Sequence, residues 1–236
     1  MIGLLLATGA GTPWTLGEGN AVVGMFRPLS VGLGPVTEAS TTGLVSFLAP
    51  RVEVKRTLLT SPSLGVAGSV ELSFPTYGLR QLQTGFLQLV GGDQHVPVAF
   101  VPGVGAWGGW RNEDWCVGLG LVTRVGVKVG DSDLRLQDLV WIDTMITPLT
   151  EGWSLQPRLR VDWSPFERWL FTAAGRAEVA AGPFLIGRLF ALRSLADHVA
   201  IGAGAAGALA NYSDGWQLKP RLFTEFAPEF DLQVRW

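Results

Sequence analysis

The residues that could do covalent chemistry are few in this chain of 236 residues. Ser194, Asp197 and His198 lie close together, and a hydroxyl, a carboxylate and an imidazole are the parts of a nucleophilic triad. A triad is a geometry and not a spacing, and one polar loop accounts for the three residues more simply. Asp93-Gln94-His95 reads as the end of a loop rather than as a ligand set. With only His95 and His198 in the chain, metal clusters and imidazole catalysis have little to draw on. The single Cys116 excludes a disulfide scaffold and a Cys-rich zinc site and reads as a small hydrophobe in an apolar strand. Gly118-x-Gly120 and Gly202-x-Gly204-x-x-Gly207 look like pieces of a nucleotide loop, but no helix follows them. The expectation is therefore no cofactor, no metal and no enzymatic activity.

The second set with chemical potential is electrostatic: charged residues that recur at alternate positions. They are Arg124 and Lys128; Arg158, Arg160 and Asp162; Arg176 and Glu178; and Lys219, Arg221 and Glu225. Arg51, Glu53, Lys55, Glu71, Asp231 and Arg235 follow the same rule. A ring of such groups facing a lumen either selects ions or pairs across the lumen and closes it. Cations outnumber acids in this set, which favours anions in an open pore. Pairing into a narrow or plugged lumen is the preferred expectation.

The elements that carry these charges are strands. From Trp153 to Ser164, Trp153, Leu155, Pro157, Leu159, Val161 and Trp163 share one phase, and Ser154, Gln156, Arg158, Arg160, Asp162 and Ser164 share the other. Alternation of this kind gives a strand one apolar and one polar face. Trp153 and Trp163 are on one face, roughly 33 Å apart along the strand. Tilted by about 40°, that strand crosses an apolar band of about 25 Å. Trp216 and Phe226 repeat the spacing, and Trp169 opens another alternating segment. These five aromatics are the candidates for interface girdles.

Residues 63–74, 115–130, 169–179 and 51–55 alternate clearly. Residues 20–33, 36–45, 95–107, 139–147, 184–193 and 198–210 do so less cleanly. Residues 216–236 read either as one long strand or as a hairpin turning at Ala227-Pro228-Glu229. Within 76–92, Leu79, Leu82, Phe86 and Leu89 recur at helical spacing, so this loop reads either as structureless or as holding a short amphipathic helix at the interface or in a barrel mouth. Residues 1–11 lack a basic leader and a long apolar core. They read as a signal-peptide remnant or as the start of a strand.

Composition narrows the class. Hydrophobic residues make up 47% and charged residues 16%, with 31 Gly and 10 Trp. That is too apolar for disorder, and 18 basic against 20 acidic residues exclude a polybasic nucleic-acid binder. No clean run of about 20 apolar residues forms a membrane helix. Hydropathy spread over alternate positions is the signature of a transmembrane β-barrel.

At the C-terminus, Phe230, Leu232, Val234 and Trp236 alternate with Asp231, Gln233 and Arg235. This resembles the terminal strand of Gram-negative outer-membrane β-barrel proteins. The resemblance implies an outer-membrane location, surrounding lipid, and recognition of these four residues by the barrel-assembly machinery. The resulting expectation is one all-β domain over 12–236, an antiparallel up-and-down barrel of about 12 strands (10–14). Its role is a narrow, porin-like channel for small solutes or a structural barrel. Two alternatives stand beside it. One is a soluble barrel or sandwich binding an apolar ligand, with the faces reversed. The other is an outer-membrane lipid-modifying enzyme.

Overall fold

The computed structural model describes residues 11–24, 29–41, 50–84, 90–135, 146–180, 184–212, 215–218 and 226–235. They form one antiparallel sheet that closes on itself. In chain order the strands are β1 (Ala21–Gly24), β2 (Leu29–Gly34), β3 (Thr37–Thr41), β4 (Arg51–Thr60), β5 (Leu64–Ser73), β6 (Val98–Arg111), β7 (Trp115–Val125), β8 (Val127–Val129), β9 (Trp153–Phe166), β10 (Trp169–Glu178), β11 (Phe184–Ala196), β12 (Val199–Tyr212), β13 (Gly215–Leu218) and β14 (Phe226–Arg235). Consecutive strands pair in sequence, β7 pairs β9, and β1 pairs β14 to close the ring. β7 and β8 both pair β6, and β13 and β14 both pair β12, so each couple is one interrupted strand. The result is a closed 12-strand barrel.

Several sequence expectations change at this point. Residues 20–33 are two strands, β1 and β2, rather than one. No hairpin turns at 227–229: Ala227, Pro228 and Glu229 pair with Ala206, Ala205 and Gly204 inside the ladder. The reason is visible in the phase, because Glu229 is buried and Phe230 exposed as the alternation runs on. Residues 146–150 are helical where a strand over 139–147 was expected; 139–145 lie outside the described residues.

The two ends of the barrel differ. One carries tight turns at 61–63, 112–114, 167–168 and 197–198. Asn112 fits its turn, accepting on its side-chain oxygen the backbone N–H groups of Asp114 and Trp115. The other end carries the long connections 74–97 and 130–152. The first holds helix α1 (Pro75–Thr84), whose Leu79 and Leu82 turn inward at the helical spacing read from the sequence. Phe86 and Leu89 lie outside the described residues. Leu79 and Leu82 pack with Val90, Val96, Leu134, Ile146, Leu149 and the inward-facing Ala99 and Val101 of β6. This apolar cluster folds the long connections onto the barrel rim. Gly126, between β7 and β8, makes room for it, since a Cβ there would lie 1.9 Å from the Pro148 carbonyl oxygen.

Candidate functional site

Closure fixes which phase is inside. Outside lie Val104, Leu159, Leu189 and Phe230, each between 47% and 68% exposed. Inside lie Glu38, Lys55, Glu71, Arg124, Arg160, Asp162 and Glu178, all buried. Burying a charge is costly unless it is paired or hydrogen-bonded, and each of these has such a partner. Glu71 bridges Arg51 and Arg124. Arg51 also reaches Glu53 at 2.8 Å. Asp162 holds Arg160 at 2.9 Å and accepts from the Thr172 hydroxyl at 2.6 Å. Glu178 accepts from Ser154 at 2.8 Å and Gln156 at 2.9 Å. Arg158 donates to the Gln156 side-chain oxygen at 2.7 Å and lies over the Trp107 ring. Arg176 is half-buried on the same inward phase.

Lys128 differs from this group: it is exposed at the rim and donates to the Leu149 carbonyl. Lys219, Arg221 and Glu225 lie outside the described residues, as does Trp236. Sequence reasoning missed three interior charges. Glu38 faces Lys55 at 3.9 Å, and Arg188 pairs with Glu229. Glu38 sits in a short strand of small polar residues with little phase to read. Arg188 is the one charge among inward-facing Phe184, Ile186, Phe190 and Leu192, so β11 offers no polar face.

Four of the five aromatic candidates stand on the outside. Trp163 stacks on Trp115 with ring centroids 5.6 Å apart and contacts Phe171 at 5.6 Å; Phe171 in turn meets Trp169 at 5.9 Å. This row marks the tight-turn end, and Arg193 lies over Trp169 beside it. Trp153 and Trp216 are exposed at the opposite end. Phe226 is in β14. Phe230, Leu232 and Val234 point outward.

The feature that sequence reasoning did not see is the segment before β1. Residues 11–17 run inside the barrel at the tight-turn end. The Lys55 ammonium donates to the carbonyls of Thr12 and Trp14, both at 3.1 Å. The Thr57 hydroxyl donates to Pro13 O at 2.8 Å, and the Leu16 N–H donates to Glu38 at 3.0 Å. Trp14 is buried against Cys116, Leu170, Phe190, Leu192 and Ala200, with the Arg111 guanidinium 4.5 Å from its ring. The wall is glycine where the segment touches it. A Cβ on Gly118 would fall 2.3 Å from Gly11 O, and one on Gly109 would fall 2.7 Å from Pro13. Those inward glycines are the only sequence signal of the plug. The barrel domain expected to start at residue 12 thus begins with a plug. Residues 1–10 of the expected signal remnant lie outside the described residues.

Ser194 is buried and its hydroxyl donates to Ala196 O, while Asp197 and His198 are exposed in the turn beyond. His95 is exposed in the 74–97 connection, where its backbone N–H meets Asp133. Among the described residues no group of three or more His, Cys, Asp or Glu is placed to hold a metal ion.

No family model matches the chain, and no curated protein matches it in sequence. Among solved structures, the outer-membrane expressed OmpT of Vibrio cholerae aligns over 89% of this chain and 64% of its own, at 7% identity and a TM-score of 0.47. A loop L8 deletion mutant of that protein aligns over 89% and 61%, at 6% identity and 0.46. This chain spans less than two thirds of either. The barrel described above stands on the strand pairing of this chain itself.

Proposed function

We propose that this chain is an integral outer-membrane β-barrel, a narrow channel constricted by its own N-terminal segment. The observation that carries the reading is the partition of side chains. The ring of strands presents leucine, valine and phenylalanine outward and arginine, glutamate and aspartate inward. In hydrocarbon every backbone N–H and C=O needs a protein partner, and a closed sheet supplies it. Water would not solvate such an exterior well. The soluble alternative needs the reverse arrangement, with apolar groups inside and Arg158 and Arg160 in water, so the geometry favours the membrane.

Short turns belong to the periplasmic end of such barrels and long connections to the outer end. The plug of residues 11–17 then constricts the periplasmic mouth, and α1 with the 146–150 turn lies over part of the outer one. The outward Phe230, Leu232 and Val234, with Trp236, are the surface offered to assembly machinery. The reading is tested by flotation. Protein dialysed from detergent with phospholipid vesicles is expected to rise with the lipid through a sucrose gradient and to resist an alkaline wash. A protein that stays dissolved at the bottom without detergent would overturn it.

A further inference from the structure

Among the ion-paired interior charges described, the two most accessible are cations, while Lys55, Arg124 and Arg160 are buried like the acids. The Glu71 side chain is 2% exposed and that of Asp162 1%, whereas Arg51 is 18% and Arg188 26% exposed. Arg158 and Arg176 are half-buried on the inward phase, and Glu178 is buried. Inside a closed barrel, the surface such a side chain leaves uncovered faces the lumen. The acids are pressed into the wall by its own donors: Ser154 and Gln156 on Glu178, Thr172 on Asp162. Glu53 is the acid that shares the open space, and it is held by Arg51.

Arg158 is held by an uncharged group: its hydrogen-bond acceptor is the Gln156 side-chain oxygen, and its Nε is buried with no hydrogen-bond partner among the described residues. Guanidinium groups converging in a water-poor channel attract an anion, and planar N–H forks bind oxyanions and halides by charge-assisted hydrogen bonds. The plug already imitates such a guest, since Lys55 holds two of its carbonyl oxygens.

We propose that the lumen is a path for small anions, with Arg158 as the group that holds the passing ion. This rests on the channel reading above. The test is the reversal potential under a potassium chloride gradient in planar bilayers. It is measured on the full chain and on a Pro13→Gly/Trp14→Gly variant, which strips the plug of its wall contacts at unchanged chain length. The variant is expected to conduct more than the full chain, and both reversal potentials are expected to lie toward that of chloride. Arg158→Gln should lower the chloride-to-potassium permeability ratio severalfold, and Arg158→Lys should restore most of it. A cation-selective current, or no current from either protein although both change gel mobility on heating, would overturn the proposal and leave the barrel reading standing. No heat-dependent change in the full chain would instead overturn the barrel reading. Selectivity is read first on the full chain, so misfolding of the Arg158 variants does not shield the proposal.

Discussion

Glu71 lies between the guanidinium groups of Arg51 and Arg124 with its carboxylate almost fully buried. Desolvating a carboxylate costs several kcal/mol, and two charge-assisted contacts offset that cost. Removing the acid alone strands the buried Arg124 and takes from Arg51 one of its two acids. Glu71→Ala is therefore expected to destabilise the barrel by about 3–5 kcal/mol, read as a lower urea midpoint for unfolding in detergent micelles. An unchanged midpoint would mean that the pairs contribute nothing. Arg51, Glu71 and Arg124 were legible in the sequence because each alternates with Val or Leu along its strand. Arg188 was not, since β11 places apolar residues on both faces and gives a charge no phase to join; Glu229 continues the polar phase of Asp231 and Gln233 but fell in the candidate turn Ala227-Pro228-Glu229.

At the scale of elements, the strands with one wet and one dry face could be read from period alone. β9 is the clearest case: its expected span, 153–164, differs from the observed Trp153–Phe166 by two residues at one end. Where both faces are apolar or both small, as in β11 and β12, the pattern gave a strand but not its orientation. The plug escaped the pattern altogether. Residues 11–17 have no period, being held by backbone carbonyls, a stacked Trp14 and wall glycines, and tertiary contacts of that sort leave almost no local trace. The plug makes its own prediction. A Cβ on Gly65 would stand 3.3 Å from Pro13 Cβ, close to the span of about 3.5–4.5 Å that a disulfide bridges. In a Cys116→Ala background, Pro13→Cys/Gly65→Cys is expected to oxidise readily and abolish conductance, with reductant restoring it. Free thiols after oxidation, or equal conductance in both states, would show that the segment does not occupy the mouth.

At the scale of the whole molecule, the fold follows from one requirement met all the way round. Every described strand pairs with a neighbour, and β1 and β14 complete the circle, with the short β8 and β13 paired on one side. Apolar side chains then cover the outside, while the inside holds the charges together with the inward apolar residues of β11, the arrangement expected of a barrel in lipid. The expected count of about 12 strands matches the closed barrel, although 20–33 divides into β1 and β2, 216–236 makes one interrupted strand with no turn at 227–229, and residues 146–147 of the expected 139–147 strand are helical. The measurement that tests this account most directly is gel mobility of the detergent-extracted full chain, with and without boiling. A closed barrel embedded in lipid is expected to be extracted from the outer-membrane fraction and to run at a different position until it is boiled. A protein recovered without detergent, whose mobility is the same before and after boiling, would contradict the closed membrane barrel.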